Sequence, residues 1–162
     1  MTFTIYESTR VWTRTWALPA DNQAPRRARQ HLDRVLPAVT CPDETTAQLQ
    51  LLVSELVTNA LQAHAAAPAA PLAGAGPELW VGLPPEHQEL TLAVFDGCPG
   101  HLPRLADQRP CELAESGRGL AIVEALTRGR WGVQRASSQC SPTPLAGKIV
   151  WAIPHVPALA AS

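Results

Sequence analysis

Residues 49–65 read LQLLVSELVTNALQAHA. At about 100° per residue, Leu49, Val53, Leu56, Val57 and Ala60 fall on one arc, while Glu55, Asn59 and Gln62 fall on the opposite one. The pattern predicts an amphipathic helix that follows the breaks at Pro37 and Pro42, is capped by Asp43 and runs to about Ala66. Its polar stripe carries a carboxylate and two amides but no basic residue to form the i,i+4 ion pair usual on a solvated face. Upstream, residues 2–18 alternate polar with large apolar side chains (Phe3, Ile5, Val11, Trp12, Trp16), which predicts one or two strands leading into a turn at 19–22. A helix is expected from about Pro25 to Leu36, capped by Asp21 or Asn22, with Ala28, Leu32, Val35 and Leu36 buried. Arg26, Arg27, Arg29 and Arg34 on its other side read as a solvated face, or else as a site for an acidic partner.

Downstream, the Ala, Pro and Gly of residues 68–77 predict a loop. Residues 78–83 and 89–95 are strand-like and flank Pro84, Pro85, Glu86 and His87, so they read as an antiparallel hairpin. The second strand is apolar at both parities and belongs inside the sheet. It ends in Asp96-Gly97-Cys98-Pro99-Gly100, and residues 101–114 then form an aperiodic loop long enough to act as a lid. Glu115-Ser116-Gly117-Arg118-Gly119 opens a helix over 120–127, in which Leu120, Val123 and Leu126 are periodic. Two strands, 131–136 and 148–153, close the chain around a Ser/Pro-rich turn, and the tail from Pro154 is expected to fray.

At 162 residues the chain suits one domain spanning 1–162. A net charge of −1 gives no reason to expect direct nucleic-acid or anionic-membrane binding. Arginine outnumbers lysine twelve to one, a bias that reads as genome composition rather than a binding device. Cys41, Cys98, Cys111 and Cys140 form no CxxC pair, against both a structural zinc site and a disulfide framework. Neither a signal-like start nor an apolar run of bilayer-spanning length is visible, so a cytoplasmic protein with reduced thiols is expected.

Three stretches carry candidate chemistry. Glu55 and Asn59 either touch only water or act together, the amide oxygen as a ligand for a hard cation and the carboxylate as a general base. Asp96 is either the start of an Asp-Gly turn or an acceptor for the exocyclic amine of a purine. Gly117 and Gly119 leave backbone N–H groups at a helix start open to an anion. Gly147-Lys148 lacks the upstream glycine spacing and the following Ser or Thr of a Walker loop, and no third glycine completes a dinucleotide fingerprint.

In order and spacing, these positions resemble the GHKL ATPases (gyrase, heat-shock chaperone, histidine kinase and mismatch-repair type), and within them the small bacterial anti-sigma-factor serine/threonine kinases. SELVTNA at 54–60 matches the family's N box, FDGCPGHLP at 95–103 resembles its first glycine box, and ESGRGLAIVEAL at 115–126 matches its second. WGV at 131–133 and GKIVWA at 147–152 are similar to its closing strands. The resemblance implies an α/β two-layer sandwich of the Bergerat type, with a mixed, mainly antiparallel sheet and helices on one face. It further implies ATP and Mg2+ as cofactors, Glu55 as base, Asn59 as magnesium ligand and Asp96 as the adenine-binding acid. Gly100, Gly117, Arg118, Gly119 and Leu120 would complete the nucleotide site, with Arg118 reaching phosphate or pointing outward.

Two departures stand out. Ala63 occupies the place where the family often has a histidine, and His64 lies about 140° round the helix from Asn59, which makes it a surface or packing residue. Cys98 replaces a glycine of the wider family.

The function implied is an ATP-dependent serine/threonine kinase acting on an anti-sigma-factor antagonist. The alternatives are a non-catalytic nucleotide-binding module that sequesters a sigma factor or antagonist, and a histidine-kinase catalytic fragment. Members of the family often form homodimers. Cys98 and Cys111 flank the expected lid and are either inert or a redox couple for nucleotide affinity.

Overall fold

The computed structural model describes residues 12–38, 42–66, 76–83, 89–100, 102–103 and 118–155. The chain runs β1 (Arg14–Ala17), α1 (Ala24–Val35), a 3-10 turn (Leu36–Ala38), α2 (Asp43–Ala66), β2 (Glu78–Gly82) and β3 (Thr91–Asp96), then α3 (Arg118–Thr127), β4 (Trp131–Ser137) and β5 (Ala146–Ala152). The strands form one sheet in the order β1-β2-β3-β5-β4, and every described pairing is antiparallel. This is the α/β two-layer sandwich that the sequence predicts, with β3 at its centre.

Side-chain alternation separates the two faces of the sheet. Leu79, Val81, Leu92, Val94, Val150 and Ala152 meet Ala28 and Leu32 of α1, Leu49, Leu52, Val53, Leu56 and Val57 of α2, and Val123 of α3 in one core. On the other face Trp80, Ala93, Phe95 and Ile149 form a smaller cluster that holds no helix residue. There the Trp80 and Phe95 rings stack at 5.7 Å, and Trp12 meets Trp80 edge-on at 5.6 Å. Buried Glu78 anchors the segment after β4, accepting hydrogen bonds from the Trp80 indole, the Ser138 hydroxyl and the backbone N–H groups of Gln139 and Cys140.

α2 keeps the predicted boundaries and buries the predicted arc, extended by Leu52 and Ala63. Two caps differ from expectation. Neither Asp21 nor Asn22 caps α1: Gln23 holds that position without a side-chain bond, and Asp21 Oδ1 instead accepts the Gln23 N–H at 2.8 Å. Pro25 in the first turn has no N–H to satisfy, which weakens the demand for a cap. Asp43 is the first helical residue of α2 rather than its cap, because the Pro42 carbonyl already accepts the Thr46 N–H at 3.0 Å. Asp43 and Glu44 act there through the helix dipole. The strands expected before residue 12, the loop at 67–75, the turn at 84–88 and the tail from 156 lie outside the described residues.

Candidate functional site

α2 buries its apolar arc and leaves Glu55 and Asn59 half-buried on its other side, one turn apart. The start of α3 packs onto these two side chains. A Cβ built on Gly119 would stand 2.6 Å from Glu55 Oε2 and 3.5 Å from Asn59 Oδ1, so the α3 backbone lies close against both side chains and any side chain at 119 would displace the Glu55 carboxylate. The N box and the second glycine box, about sixty residues apart in sequence, therefore form one locus. The Asn59 Nδ2 is buried and has no hydrogen-bond partner among the described residues. Buried polar groups are almost always paired, so this amide beside a helix start is a candidate contact for a ligand.

Asp96 ends β3 and is 4% exposed. It shares a side of the sheet with Leu92 and Val94, the side that the helices cover. Its Oδ1 accepts the Cys98 N–H at 2.9 Å, which is the Asp-Gly turn reading. The same oxygen accepts a bond from Lys148 Nζ at 2.5 Å, and Lys148 Nζ also donates to the Cys98 carbonyl at 2.7 Å. Lys148 lies directly across from Asp96 in the β3–β5 register and is 2% exposed.

Reasoning from sequence missed Lys148, although a signal was present. It is the chain's single lysine, set in the apolar run KIVWAI, and charged side chains are almost never fully buried unless paired. Gly147 was missed as well. A Cβ there would lie 2.2 Å from the Asp96 carbonyl oxygen and 2.6 Å from the Phe95 ring, so glycine is what lets β5 approach the end of β3.

The remaining expected residues divide between described and undescribed. Leu120 is buried at the start of α3. Gly100 is exposed, and a Cβ on it meets nothing within 4 Å. Arg118 opens the helix, but its side chain lies outside the described residues, as do Gly117, Cys111 and nearly all of the expected lid at 101–114. Ala63 is buried and His64 half-buried. The Cys98 thiol is buried, and burial followed by the Asp96 charge pushes its pKa up, with Lys148 opposing. A thiol held protonated in this way is a poor partner for oxidants.

Among the described residues no group of three or more His, Cys, Asp or Glu could hold a metal, and no helix is long and apolar enough to cross a membrane. A cation at α2 would thus be held through the Asn59 amide oxygen together with oxygens of a bound ligand. That suits magnesium, which takes one or two protein oxygens and completes its shell with phosphates and water.

No curated protein matches the chain. A family model described as the histidine kinase-like ATPase domain matches residues 18–130, a segment that holds Glu55, Asn59, Asp96 and Gly119 and stops before β4, β5 and Lys148. With well over half of its length matched and the sandwich fold in place, the chain belongs to the histidine kinase-like ATPase domain family, whose members bind ATP.

Proposed function

We propose that this protein is an ATP-dependent serine/threonine kinase that phosphorylates an anti-sigma-factor antagonist. The observation that carries the reading is the contact of Gly119 with both Glu55 and Asn59, which sets a carboxylate, an amide oxygen and a helix start in one place. Phosphoryl transfer needs little more than positioning, a base and charge stabilisation. Bound magnesium would supply positive charge against the phosphate oxygens, and Asn59 Oδ1 is the oxygen that would hold it.

In this reading Asp96 accepts the adenine amine, and the N–H groups at the start of α3 face the phosphates. A carboxylate oxygen of Glu55 takes the proton of the partner's hydroxyl as the hydroxyl oxygen bonds to the γ-phosphorus. The bond from the γ-phosphorus to the β–γ bridging oxygen breaks, and ADP leaves. A partly exposed Glu55 also suits a substrate that arrives as another protein's side chain.

Labelled Mg-ATP and candidate antagonist proteins provide the test. The wild type should transfer label to serine or threonine. Glu55→Gln should lose transfer but keep ATP, whereas Asn59→Ala should lose magnesium-dependent ATP binding in calorimetry. Binding without transfer to any partner would discard the kinase and leave a nucleotide-binding module that sequesters a sigma factor or its antagonist.

A further inference from the structure

Asp96 and Lys148 form an ion pair at the end of the helix-covered side of the sheet, with side chains 4% and 2% exposed. Stability alone is a weak reason to keep such a pair, because well-packed apolar residues of similar volume often serve as well or better. What the pair supplies is a pattern, an anionic acceptor beside a cationic donor at a fixed separation. The ammonium has three N–H donors, and Asp96 Oδ1 and the Cys98 carbonyl take two of them. An ionised carboxylate offers about four acceptor positions, so binding lysine does not exhaust it. The Cys98 carbonyl and the Cys98 N–H bond to Asp96 fix both partners to the same short turn.

The Watson–Crick edge of adenine carries the complementary pattern, an exocyclic N6–H donor next to the N1 acceptor. Guanine carries the reverse, a 6-oxo acceptor next to an N1–H donor. We propose that Lys148 is a specificity-determining residue of the nucleotide site, donating its third N–H to N1 of adenine while Asp96 accepts from the 6-amino group. The assignment rests on the nucleotide reading of Asp96 and adds a second contact to it. Guanine in the same pose would set its 6-oxygen against the carboxylate and its N1–H against the ammonium. Discrimination follows from buried polar groups left unpaired as much as from the bonds made.

Calorimetric titration of the full chain with four magnesium nucleotides tests the proposal: ATP, 1-deaza-ATP (no N1 acceptor), purine riboside triphosphate (no 6-amino group) and GTP. A bond from a charged donor implies that 1-deaza-ATP binds wild type about tenfold or more weakly than ATP, with GTP weaker still. Equal affinity for ATP and 1-deaza-ATP would overturn the role of Lys148. If purine riboside triphosphate were weakened at the same time, Asp96 would keep its role and only the lysine contact would fall. No binding of ATP would instead remove the nucleotide reading itself. This ligand-side comparison needs no variant. Lys148→Gln, which keeps a donor without the charge, adds a second arm: its ATP to 1-deaza-ATP ratio should shrink towards one, and an unchanged ratio would overturn the proposal.

Discussion

Gly119→Ala should separate stability from activity. The added Cβ would lie 2.6 Å from Glu55 Oε2, 3.7 Å from Glu55 Cδ and 3.5 Å from Asn59 Oδ1. Carbon–oxygen contacts begin near about 3.3 Å, so the Glu55 carboxylate must retreat by roughly 0.7 Å while Asn59 can stay. The retreating atom is the end of a flexible, half-exposed side chain, so the move costs little folding free energy. Alanine also gains up to about 1 kcal/mol over glycine in a helix interior, and less in the first turn. Urea denaturation should therefore place the variant within about 1 kcal/mol of wild type, and calorimetry should show Mg-ATP affinity largely kept. Transfer should fall by about 10²-fold, because a base displaced by close to an ångström loses its line to the hydroxyl. That drop is worth about 2.7 kcal/mol at the transition state. A folded variant with wild-type transfer rates would refute the role of Glu55. A loss of stability beyond about 2 kcal/mol would refute the claim that the side chain, and not the α3 backbone, gives way.

Two further outcomes concern the scaffold. In Gly147→Ala the Cβ meets the Asp96 carbonyl oxygen at 2.2 Å and the Phe95 ring at 2.6 Å, where backbone cannot swing aside; the urea midpoint should drop by the equivalent of about 1–3 kcal/mol, and an unchanged midpoint would show that β5 does not approach β3 so closely. His31 stacks on Trp16 at 4.9 Å with a buried Nδ1 that has no partner among the described residues, and burial first, then Arg34 and Arg27, lower its pKa. The unfolded chain therefore holds that proton more tightly, so the His31 contribution is present above the unfolded value of about 6.5 and is lost as pH falls through the lower folded pKa. Between pH 7.5 and pH 5.5 the wild type should lose more stability than His31→Phe, and parallel losses would contradict the account.

The elements that sequence made legible are those whose signal is local. Five apolar positions at helical period settle α2, and apolar residues at both parities of β3 place it at the centre of the sheet. Caps were less legible: Asp21 suits a cap by residue type, yet an Asx turn takes up its side chain two residues before the N-cap, Gln23. The functional contacts were the least legible, because each is a tertiary coincidence. Gly119 was recognisable as part of a glycine box, but the box does not say that the Glu55 carboxylate is what the missing Cβ makes room for.

Lys148 shows the same limit most clearly. A lone lysine in an apolar strand must have a partner, but finding that partner requires the β3–β5 register, which joins residues 52 positions apart. A slip of one residue would turn Lys148 to the Trp80–Phe95 face and put Ile149 opposite Asp96 on the helix side. That slip would bury one charge on each face without a partner, which costs far more than the pair in register. Gly147 acts in the same direction, since any side chain there would collide with the Asp96 carbonyl and push the strand ends apart. Glycine and lysine thus work as one unit. The first permits the approach of β5, and the second disfavours the one-residue slip, which would strip the buried carboxylate of Asp96 of its cation.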